Sequence, residues 1–276
     1  MTIYALLDYD GYICKAYYAG YKENKQNKIL KDLEKSAIER TAKYFDVPEK
    51  EVKIKKVISG HSFKKDLYPS YKLPRKKDEG LGKFRDEVKQ SDKTLLCVQS
   101  LEADDVITLL QKYINTSGDK CIVFSDDKDL HYFNLRYCKL NTDQEVVENS
   151  IPDLVKCYAQ MIAGDSEDNV KGVPGMGMKK AIKYIEENLS EKDTIYQVIE
   201  CYKNKGIDID ECLKNILLIL PIGILYIDDI SKPLILSAGL MAKEIDMDVV
   251  NKYVNETIIS QLKMLSALVK GVYAKE

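Results

Sequence analysis

Residues 3–10 read Ile-Tyr-Ala-Leu-Leu-Asp-Tyr-Asp, a short apolar run that ends in two acids. A run of this length, bounded by polar residues, is typical of a buried strand. Three more runs of the same form lead into polar or acidic residues, and they predict three further strands: Val52–Ile58, Leu95–Val98 and Cys121–Phe124. We expect the four strands to form the core of one sheet.

The segments between these strands have helical periodicity. They cover roughly Ala16–Phe45, Lys83–Lys89 and Asp104–Ile114. Strands that alternate with helices form βαβ units, so the pattern predicts an α/β fold with a mainly parallel central sheet flanked by helices. Ligands bind such sheets beyond the carboxyl ends of the strands. Three of the four strands lead into acids there, and this edge is the expected functional site.

The second half of the chain has a different pattern, which is helical from about Ile151. The predicted helices are Ile151–Ala163, Lys179–Asn188, Asp193–Lys203, Asp208–Leu218 and Val249–Lys270. No Gly/Ser-rich linker separates the halves. We therefore expect an α/β core at residues 1–150 and a helical part at residues 151–276 that packs on the sheet.

The composition is that of an ordinary soluble protein, with 45% hydrophobic and 31% charged residues. No apolar run reaches the roughly 18 residues of a membrane helix, and we expect no signal peptide before the first strand. The seven cysteines form no CxxC pair, which argues against a disulfide framework or a zinc site. We expect a cytoplasmic protein without membrane partners, in which the two histidines do not dominate the chemistry.

Two groups of acids follow the predicted strands in the first hundred or so residues. Asp8 and Asp10 flank Tyr9, and strand alternation would point both side chains to one site. The alternative is that one of them is a turn residue before Gly11. Glu102, Asp104 and Asp105 open a helix, where acids often only complement the helix dipole. Three acids within four residues exceed that need and favour a metal site.

Two further groups complete the set. Asp126, Asp127 and Asp129 follow the strand Cys121–Phe124, and Lys128 is the alternative partner that could compensate their repulsion. Asp165 and Asp168 are spaced so that they can face one site from a helical turn, although alone they would suggest a loop. So many acids at one edge require cations, and oxygen ligands favour two or more Mg²⁺ or Mn²⁺ ions. The predicted metal ligands are Asp8, Asp10, Glu102, Asp104, Asp105, Asp127, Asp129, Asp165 and Asp168.

Cations are concentrated between residues 53 and 93, where 13 Lys and Arg outnumber 6 Asp and Glu although the whole chain has a net charge of −2. Within this range, residues 63–75 interleave cations with aromatic rings. Lys and Arg can bind phosphates while Tyr rings stack on bases, which is typical of single-strand binding. The alternative is a solvated surface, the commoner explanation of charge runs.

A glycine-rich turn at Gly172–Gly177 is followed by Lys179 and Lys180. Its glycines Gly172, Gly175 and Gly177 permit positive φ angles and a close approach of the backbone. Amide groups at the start of the next helix could then bind a phosphate without reading its base. An ordinary connection between helices is the alternative.

Taken in order, these motifs resemble the 5′-nuclease family. That family comprises the flap endonucleases, the 5′–3′ exonuclease domain of bacterial DNA polymerase I and the stand-alone phage enzymes. The length of the chain is compatible with an enzyme of the last kind, from a bacteriophage. The matching stretches are Leu6–Gly11, Lys15–Tyr18, Leu67–Lys72 with Arg75, Glu102–Asp105, Ser125–Leu130, and Gly164–Asn169 running into Gly172–Gly177.

The resemblance implies a PIN-like core and a metal-dependent hydrolase, active in DNA replication or repair, that removes 5′ flaps, 5′ ends or RNA primers. It implies two metal groups, one of Asp8, Glu102, Asp104 or Asp105, and Asp127, the other of Asp129, Asp165 and Asp168. Lys72 and Arg75 would position the scissile phosphate beside Asp8 and Asp127, below a helical arch at about residues 72–93. A helix–turn–helix at about residues 160–188 would grip the duplex, with K⁺ at its turn.

The partners that the resemblance implies are branched, nicked or 5′-ended duplex DNA, an RNA–DNA hybrid and a replication polymerase, bound by a monomer. The implied DNA-binding residues are Lys15, Tyr17, Lys64, Tyr71, Lys72, Arg75, Gly172, Gly175, Gly177, Lys179 and Lys180. Two positions depart from the family. Ser59 stands near the place of a further acid, for which Asp10 is the expected substitute. Lys64 replaces an Arg and lacks its bidentate fork.

Two other functions fit parts of the sequence. A haloacid-dehalogenase-like phosphatase would use Asp8 as its nucleophile, but it leaves the Glu102–Asp105 cluster and the glycine turn unexplained, and Tyr12 stands where it expects Thr or Val. A DNA-structure-binding protein with a decayed active site would gain nothing from this many acids near phosphates. We rank both below the nuclease.

Overall fold

The computed structural model describes residues 1–73, 76, 78–133, 136–140, 144–148, 154–188, 194–221 and 247–274. The chain folds into two compact units. The first, here called the core unit, contains residues 1–62 and the described residues from 76 to 148, with 247–251. The second, the helical unit, contains residues 63–73, the described residues from 154 to 221, and 252–274.

The core unit is built on a six-stranded sheet. Its strands are β1 Ile3–Asp8, β2 Val52–Val57, β3 Leu95–Leu96, β4 Lys120–Phe124, β5 Arg136–Cys138 and β6 Val147–Glu148. The order is β3-β2-β1-β4-β5-β6, and every pair is parallel except β5 with β6. All six residues of β1 are buried, as expected for the central strand of a parallel sheet. The predicted α/β fold with a mainly parallel sheet is therefore confirmed.

Helices connect the strands of the core unit: α1 Tyr9–Gly20, α2 Gln26–Phe45, α4 Glu79–Ser91, α5 Ala103–Thr116 and α6 Lys128–Phe133. The apolar faces of α1, α2 and α4 pack with β1 into one core, in which Tyr12, Ile13 and Phe124 are almost fully buried. Short 3-10 turns follow α1 at Tyr21–Glu23 and precede β2 at Glu49–Glu51.

The helix α4 is fixed to the core unit along its length. Asp78 caps its first turn by accepting a hydrogen bond from the Leu81 amide at 3.0 Å. Phe84 and Val88 are buried in the apolar core that also contains residues of β1 and α1. At the other end the carboxylate of Asp92 pairs with the ammonium of Lys56 on β2 at 2.8 Å. This part of the predicted arch is thus a helix packed on the core.

The four predicted strands are confirmed, although β3 is shorter than its apolar run. Two short strands, β5 and β6, were not predicted. The single helix expected over Ala16–Phe45 is wrong: α1 and α2 are separate, because Asn24 adopts the left-handed conformation (φ 51°) that ends a helical turn. Helix α1 also begins earlier than expected, directly after Asp8.

The helical unit contains α3 Phe63–Leu67, α7 Leu154–Ala163, α8 Met178–Asn188, α9 Thr194–Asn204, α10 Ile209–Ile219 and, for the greater part, α11 Met247–Tyr273. A two-stranded antiparallel hairpin, β7 Gly164–Asp165 with β8 Val170–Lys171, stands between α7 and α8. Tyr202 and Asn215 are buried between these elements, and the Tyr202 hydroxyl donates to the Met161 carbonyl at 2.6 Å. The predicted helices of this half are confirmed where the structure describes them.

In the described part of the chain, no helix combines the length and the apolar character that crossing a bilayer requires.

Candidate metal and nucleic-acid site

Asp8 lies at the carboxyl end of the central strand β1. Its neighbour in register on β2 is Val57, and on the other side Leu7 pairs with Phe124 of β4. The next residue on that side, Ser125, donates its hydroxyl hydrogen to Asp8 Oδ2 at 2.6 Å. Burial raises the pKa of Asp8 to about 7, against the Ser125 hydrogen bond, which lowers it. The negative charges of Asp10 and Asp127 raise the Asp8 pKa further.

The loop after β4 holds the next acids. The backbone N–H of Asp127 donates to Ser125 Oγ at 2.9 Å, so one serine contacts both Asp8 and the Asp127 loop. Asp127 Oδ1 accepts the N–H of Asp129 at 2.9 Å, and α6 begins within this turn. The Asp126 side chain has a different partner: its Oδ1 accepts a hydrogen bond from the Leu140 N–H at 3.0 Å. Asp127 is exposed at this edge of the sheet.

Three acids open α5 and lie close together. One carboxylate oxygen from each of Glu102, Asp104 and Asp105 lies within 4.8 Å of the others. Glu102 is the N-cap, and the side chains of Glu102 and Asp105 form a capping box with each other's backbone N–H. The capping interpretation is therefore confirmed for Glu102 and Asp105, and the spacing of the three ligand atoms would also suit a cation.

Gly60 allows the segment after β2 to approach the loop that leads into α5. Its N–H donates to the Leu101 carbonyl at 2.9 Å, one residue before Glu102. A Cβ at this position would lie 2.0 Å from the carbonyl oxygen of Val98, a distance that no side chain tolerates. The close approach places the end of β2 beside the α5 acids.

Asp10 does not extend the strand as the sequence suggested. Strand alternation fails because α1 begins at Tyr9, and Asp10 sits in the first helical turn. Its Oδ2 accepts the Ser59 N–H at 2.8 Å, and its Oδ1 is 2.7 Å from the Nε of Arg85. Asp10 thus contacts Ser59 at the end of β2 directly, and it also pairs with Arg85, a contact that the sequence did not indicate.

On α1, the expected DNA-binding residues have different environments. Lys15 is partly exposed, whereas Tyr17 is only 7% exposed and its ring packs against Phe84. The neighbouring rings of Tyr18 and Tyr21 are 59% and 62% exposed. The exposed aromatic rings here are therefore Tyr18 on α1 and Tyr21 in the 3-10 turn that follows, and neither is among the expected DNA-binding residues.

In the helical unit, Lys72 is held against Asp168. The Lys72 N–H donates to the Asp168 carbonyl at 3.0 Å, and its ammonium lies 3.8 Å from Asp168 Oδ2. The same ammonium lies over the ring of Tyr71, 4.8 Å from its centroid, and the Tyr71 hydroxyl donates to Asp168 Oδ2 at 3.3 Å. Lys72 has a φ of 57°, a left-handed backbone that side chains adopt at a cost.

The helical turn expected to carry Asp165 and Asp168 is wrong, because both residues belong to the β7–β8 hairpin. Asp165 lies on β7 and Asp168 in the turn that follows. Two residues of the hairpin have left-handed backbones: Gly164 (φ 77°) on β7 and Asn169 (φ 59°) in the turn. Asp165 accepts hydrogen bonds from the Gln160 side chain and from the Glu167 N–H, both at 2.9 Å.

The glycine turn between β8 and α8 has the geometry that its sequence requires. The Met176 N–H donates to the Val173 carbonyl at 3.0 Å around Pro174-Gly175, with Gly175 at φ 77°, as in a type II turn. Gly172 packs directly on the backbone of Ala163. The predicted residues Gly177, Lys179 and Lys180 lie at the start of α8, and all three are exposed.

Two further predicted residues belong to the segment before α4. Lys64 lies on α3 and is 1% exposed. Arg75 lies outside the described residues. The predicted acids divide between the two units: Asp165 and Asp168 belong to the helical unit and the other seven to the core unit.

A family model described as the 5′–3′ exonuclease N-terminal resolvase-like domain matches residues 3–150, which are 148 of the 276 residues. This chain belongs to the 5′–3′ exonuclease family. The matched range contains the strand-end acids Asp8, Glu102 and Asp127. The family assignment does not favour the phosphatase alternative.

Curated relatives agree with this assignment. The chain is 32% identical over 147 residues to the flap endonuclease Xni of Aeromonas salmonicida, covering 46% of this chain and 53% of that protein. It is 28% identical over 153 residues to DNA polymerase I of Rhizobium leguminosarum, covering 50% of this chain and 15% of the polymerase. The match thus spans about half of the flap endonuclease and a small part of the polymerase.

Solved structures share the fold over nearly the whole chain. The D15 protein of bacteriophage T5, crystallised with metal ions, matches with a TM-score of 0.58 at 15% identity, covering 94% of this chain and 99% of that one. A T5 D15 flap endonuclease in a complex with DNA and metal ions matches with a TM-score of 0.57 at 15% identity, covering 95% of this chain and 99% of that one. At this identity the likeness shows the fold alone.

Proposed function

We propose that this protein is a Mg²⁺-dependent structure-specific 5′ nuclease, which hydrolyses phosphodiesters in 5′ flaps, at 5′ ends or in RNA primers. The family assignment supports the reaction class. The observation that carries the proposal is the cluster of Glu102, Asp104 and Asp105, whose ligand atoms lie within 4.8 Å of one another in the matched domain.

The donor chemistry of the core unit fits divalent cations. The cluster offers only carboxylate oxygens, which Mg²⁺ and Mn²⁺ prefer over zinc. Asp8 is buried beside further acids, and its raised pKa shows that the protein alone does not stabilise its charge. When bound, divalent ions would stabilise the attacking and leaving oxygens of an in-line displacement. We propose Asp8, Glu102, Asp104, Asp105 and Asp127 as ligands of this group.

The helical unit would contribute a second group of acids and the phosphate-binding cations. We propose that Asp165 and Asp168 of this unit bind a second cation. Lys72 would bind and orient the scissile phosphate, because its ammonium is already fixed beside Asp168 and Tyr71. Arg75 would add a bidentate phosphate contact.

Duplex binding is assigned to the glycine turn and the start of α8. There, backbone N–H groups and the exposed Lys179 and Lys180 can contact phosphates without reading bases. We propose that α7, the turn and α8 form the helix–turn–helix that grips the duplex, with K⁺ at the turn. The Gly175 carbonyl already accepts a hydrogen bond from the Lys180 ammonium at 3.2 Å, which supports a preference for cations there.

The expected partners follow from the same chemistry. Branched, nicked or 5′-ended duplexes present a phosphate backbone to these cations, and RNA–DNA hybrids present the same groups. The similarity to part of a DNA polymerase I supports a role beside a replication polymerase. We propose that the protein acts as a monomer in the cytoplasm.

The test is cleavage of end-labelled flap, nicked and blunt duplexes with Mg²⁺ and with EDTA. We expect cleavage near the 5′ junction that EDTA abolishes. Matched reactions with Asp104→Asn should lose cleavage without losing the fold. Cutting that does not need metal would overturn the mechanism. Binding of flaps without any cleavage would instead support the alternative of a DNA-structure-binding protein.

A further inference from the structure

Asp10, Arg85 and Ser59 form a closed ring of hydrogen bonds at the end of β2. Asp10 Oδ2 accepts the Ser59 N–H at 2.8 Å, and Asp10 Oδ1 accepts from Arg85 Nε at 2.7 Å. Arg85 Nη2 completes the ring by donating to the Ser59 carbonyl at 2.6 Å. Both oxygens of the Asp10 carboxylate are therefore engaged by protein groups, one of them in a charge-assisted contact.

The ring is connected to the acids of α5 through the Ser59 hydroxyl. Ser59 Oγ accepts the N–H of Ala103 at 3.0 Å. Ala103 is the first residue of α5, and its N–H is one of the helix-end groups that have no partner within the helix. The preceding residue is Glu102, so the position of Ser59 fixes the position of this acid.

Arg85 also joins separate parts of the core unit. It lies on α4, whereas Asp10 lies on α1 and Ser59 follows β2. Arg85 and Asp10 are both about 30% exposed, so the ring lies at the rim of the unit rather than in its core. Such partly exposed ion pairs add little to overall stability. The ring is thus better suited to orienting the residues that it contacts than to stabilising the fold.

We propose that Asp10 and Arg85 are positioning residues that act through Ser59 to set Glu102 and the α5 acids for cation binding. Asp10 is then not itself a ligand. The inference rests on the proposed function, because it takes the α5 acids as the cation ligands. Groups that orient metal ligands in this way are worth about 10- to 100-fold in metal affinity.

The two roles for Asp10 predict opposite effects of removing Arg85. If Asp10 were a ligand, Arg85 would compete with the cation for the same oxygen, and Arg85→Gln would tighten cation binding. If Asp10 is a positioning residue, Arg85→Gln releases Asp10 and Ser59 and weakens binding. The sign of the change therefore distinguishes the two.

The experiment is titration of the intact protein with Mn²⁺ in the absence of DNA, with free Mn²⁺ measured by electron paramagnetic resonance. We expect Arg85→Gln to weaken Mn²⁺ binding by about 10- to 100-fold. Lys83→Gln is the matched control, because Lys83 is exposed on the same helix and loses the same charge. Arg85→Lys should recover part of the affinity.

Two more variants test the path through Ser59. Ser59→Ala keeps the backbone groups that bind Asp10 and Arg85 but removes the acceptor of the Ala103 N–H, and it should weaken Mn²⁺ binding in the same way. Asp10→Asn combined with Arg85→Gln should be no weaker than the weaker single variant. If Arg85→Gln does not fold, as judged by circular dichroism, Ser59→Ala decides the question.

The result that would contradict the positioning role differs from the result that would contradict the proposed function. Unchanged or tighter Mn²⁺ binding in Arg85→Gln or in Ser59→Ala would overturn the positioning role while leaving the nuclease proposal intact. Absence of Mn²⁺ binding to the unmodified protein would instead overturn the proposed function, and the inference with it.

Discussion

The hydroxyl of Ser125 donates a hydrogen bond to Asp8 across the carboxyl ends of two adjacent parallel strands, at 2.6 Å. The same oxygen accepts the Asp127 N–H at 2.9 Å. This serine is buried, and it links the acid at the end of β1 to the loop after β4. Its bond favours the charged carboxylate, but burial of Asp8 outweighs it. The charge of Asp8 is therefore poorly compensated without a cation.

This balance predicts how stability depends on pH in EDTA. The folded-state pKa of Asp8 is raised to about 7, above the 3.8 of an unperturbed aspartate. Unfolding then releases a proton between these values, so stability falls as pH rises from about 4 to about 7 and stays low above that. The upper limit of this loss is about 4 kcal/mol, at 1.36 kcal/mol per pKa unit. Urea unfolding at pH 5 and pH 8 measures it.

The matched variants are Asp8→Asn and Asp32→Asn. Asp8→Asn should remove most of the pH dependence, whereas Asp32 is exposed on α2 and its replacement should leave the dependence unchanged. Adding Mg²⁺ should stabilise the unmodified protein more at pH 8 than at pH 5, because the cation binds the ionised form. A metal-free protein that is more stable at pH 8 than at pH 5 would contradict the prediction.

Gly60→Ala should destabilise the core unit and disturb the acid cluster together. The added Cβ would lie 2.0 Å from the Val98 carbonyl oxygen, so the backbone must move where it leads to Glu102. The expected cost is about 1–3 kcal/mol in unfolding free energy, with weaker Mn²⁺ binding. Gly82→Ala is the control: its Cβ meets nothing within 4 Å on α4, and it should stabilise by about 0.5–1 kcal/mol. Equal effects of the two substitutions would refute this account.

The strand-end acids could be predicted from the sequence because a parallel sheet constrains them strongly. Asp8 and Asp127 follow apolar runs, and the carboxyl ends of parallel strands necessarily meet at one edge. This inference requires no contact observed in a related structure. The family motifs likewise depend on residues close together in the chain, and the family match at residues 3–150 covers those from Leu6–Gly11 to Ser125–Leu130.

Contacts between distant residues could not be predicted in this way. Asp10 meets Arg85 across 75 positions of the chain, and nothing in either local pattern indicates the pair. The hairpin that carries Asp168 was mistaken for a helical turn, because a spacing of three residues fits both. The short strands β5 and β6 have too few residues to show a period.

Asp104 and Asp105 should respond differently to amidation, although they are neighbours. Asp105 is fully buried and accepts the Glu102 N–H, so Asp105→Asn should lower both the unfolding free energy and Mn²⁺ affinity. Asp104 is partly exposed, and Asn would keep the oxygen that accepts the Asp105 N–H. Asp104→Asn should therefore lower Mn²⁺ affinity by about tenfold or more with little loss of stability. Thermal unfolding and Mn²⁺ titration of both variants give the comparison, and equal stability losses would count against separate roles.

Lys72→Ala should slow cleavage far more than it weakens binding of a flapped duplex. The Lys72 ammonium is fixed by Asp168 and by the ring of Tyr71, which suits it to hold one phosphate rather than to attract DNA in general. Ala introduces no new backbone strain, because Lys72 already has a φ of 57°. A loss on the order of 100-fold in the single-turnover rate is expected for one lost charge-stabilising group. Lys65→Ala is the matched control, since Lys65 is an exposed lysine on α3, and its loss should reduce affinity slightly and the rate hardly at all. If Lys72→Ala lowers affinity while the single-turnover rate at saturating enzyme is unchanged, Lys72 contributes only general attraction.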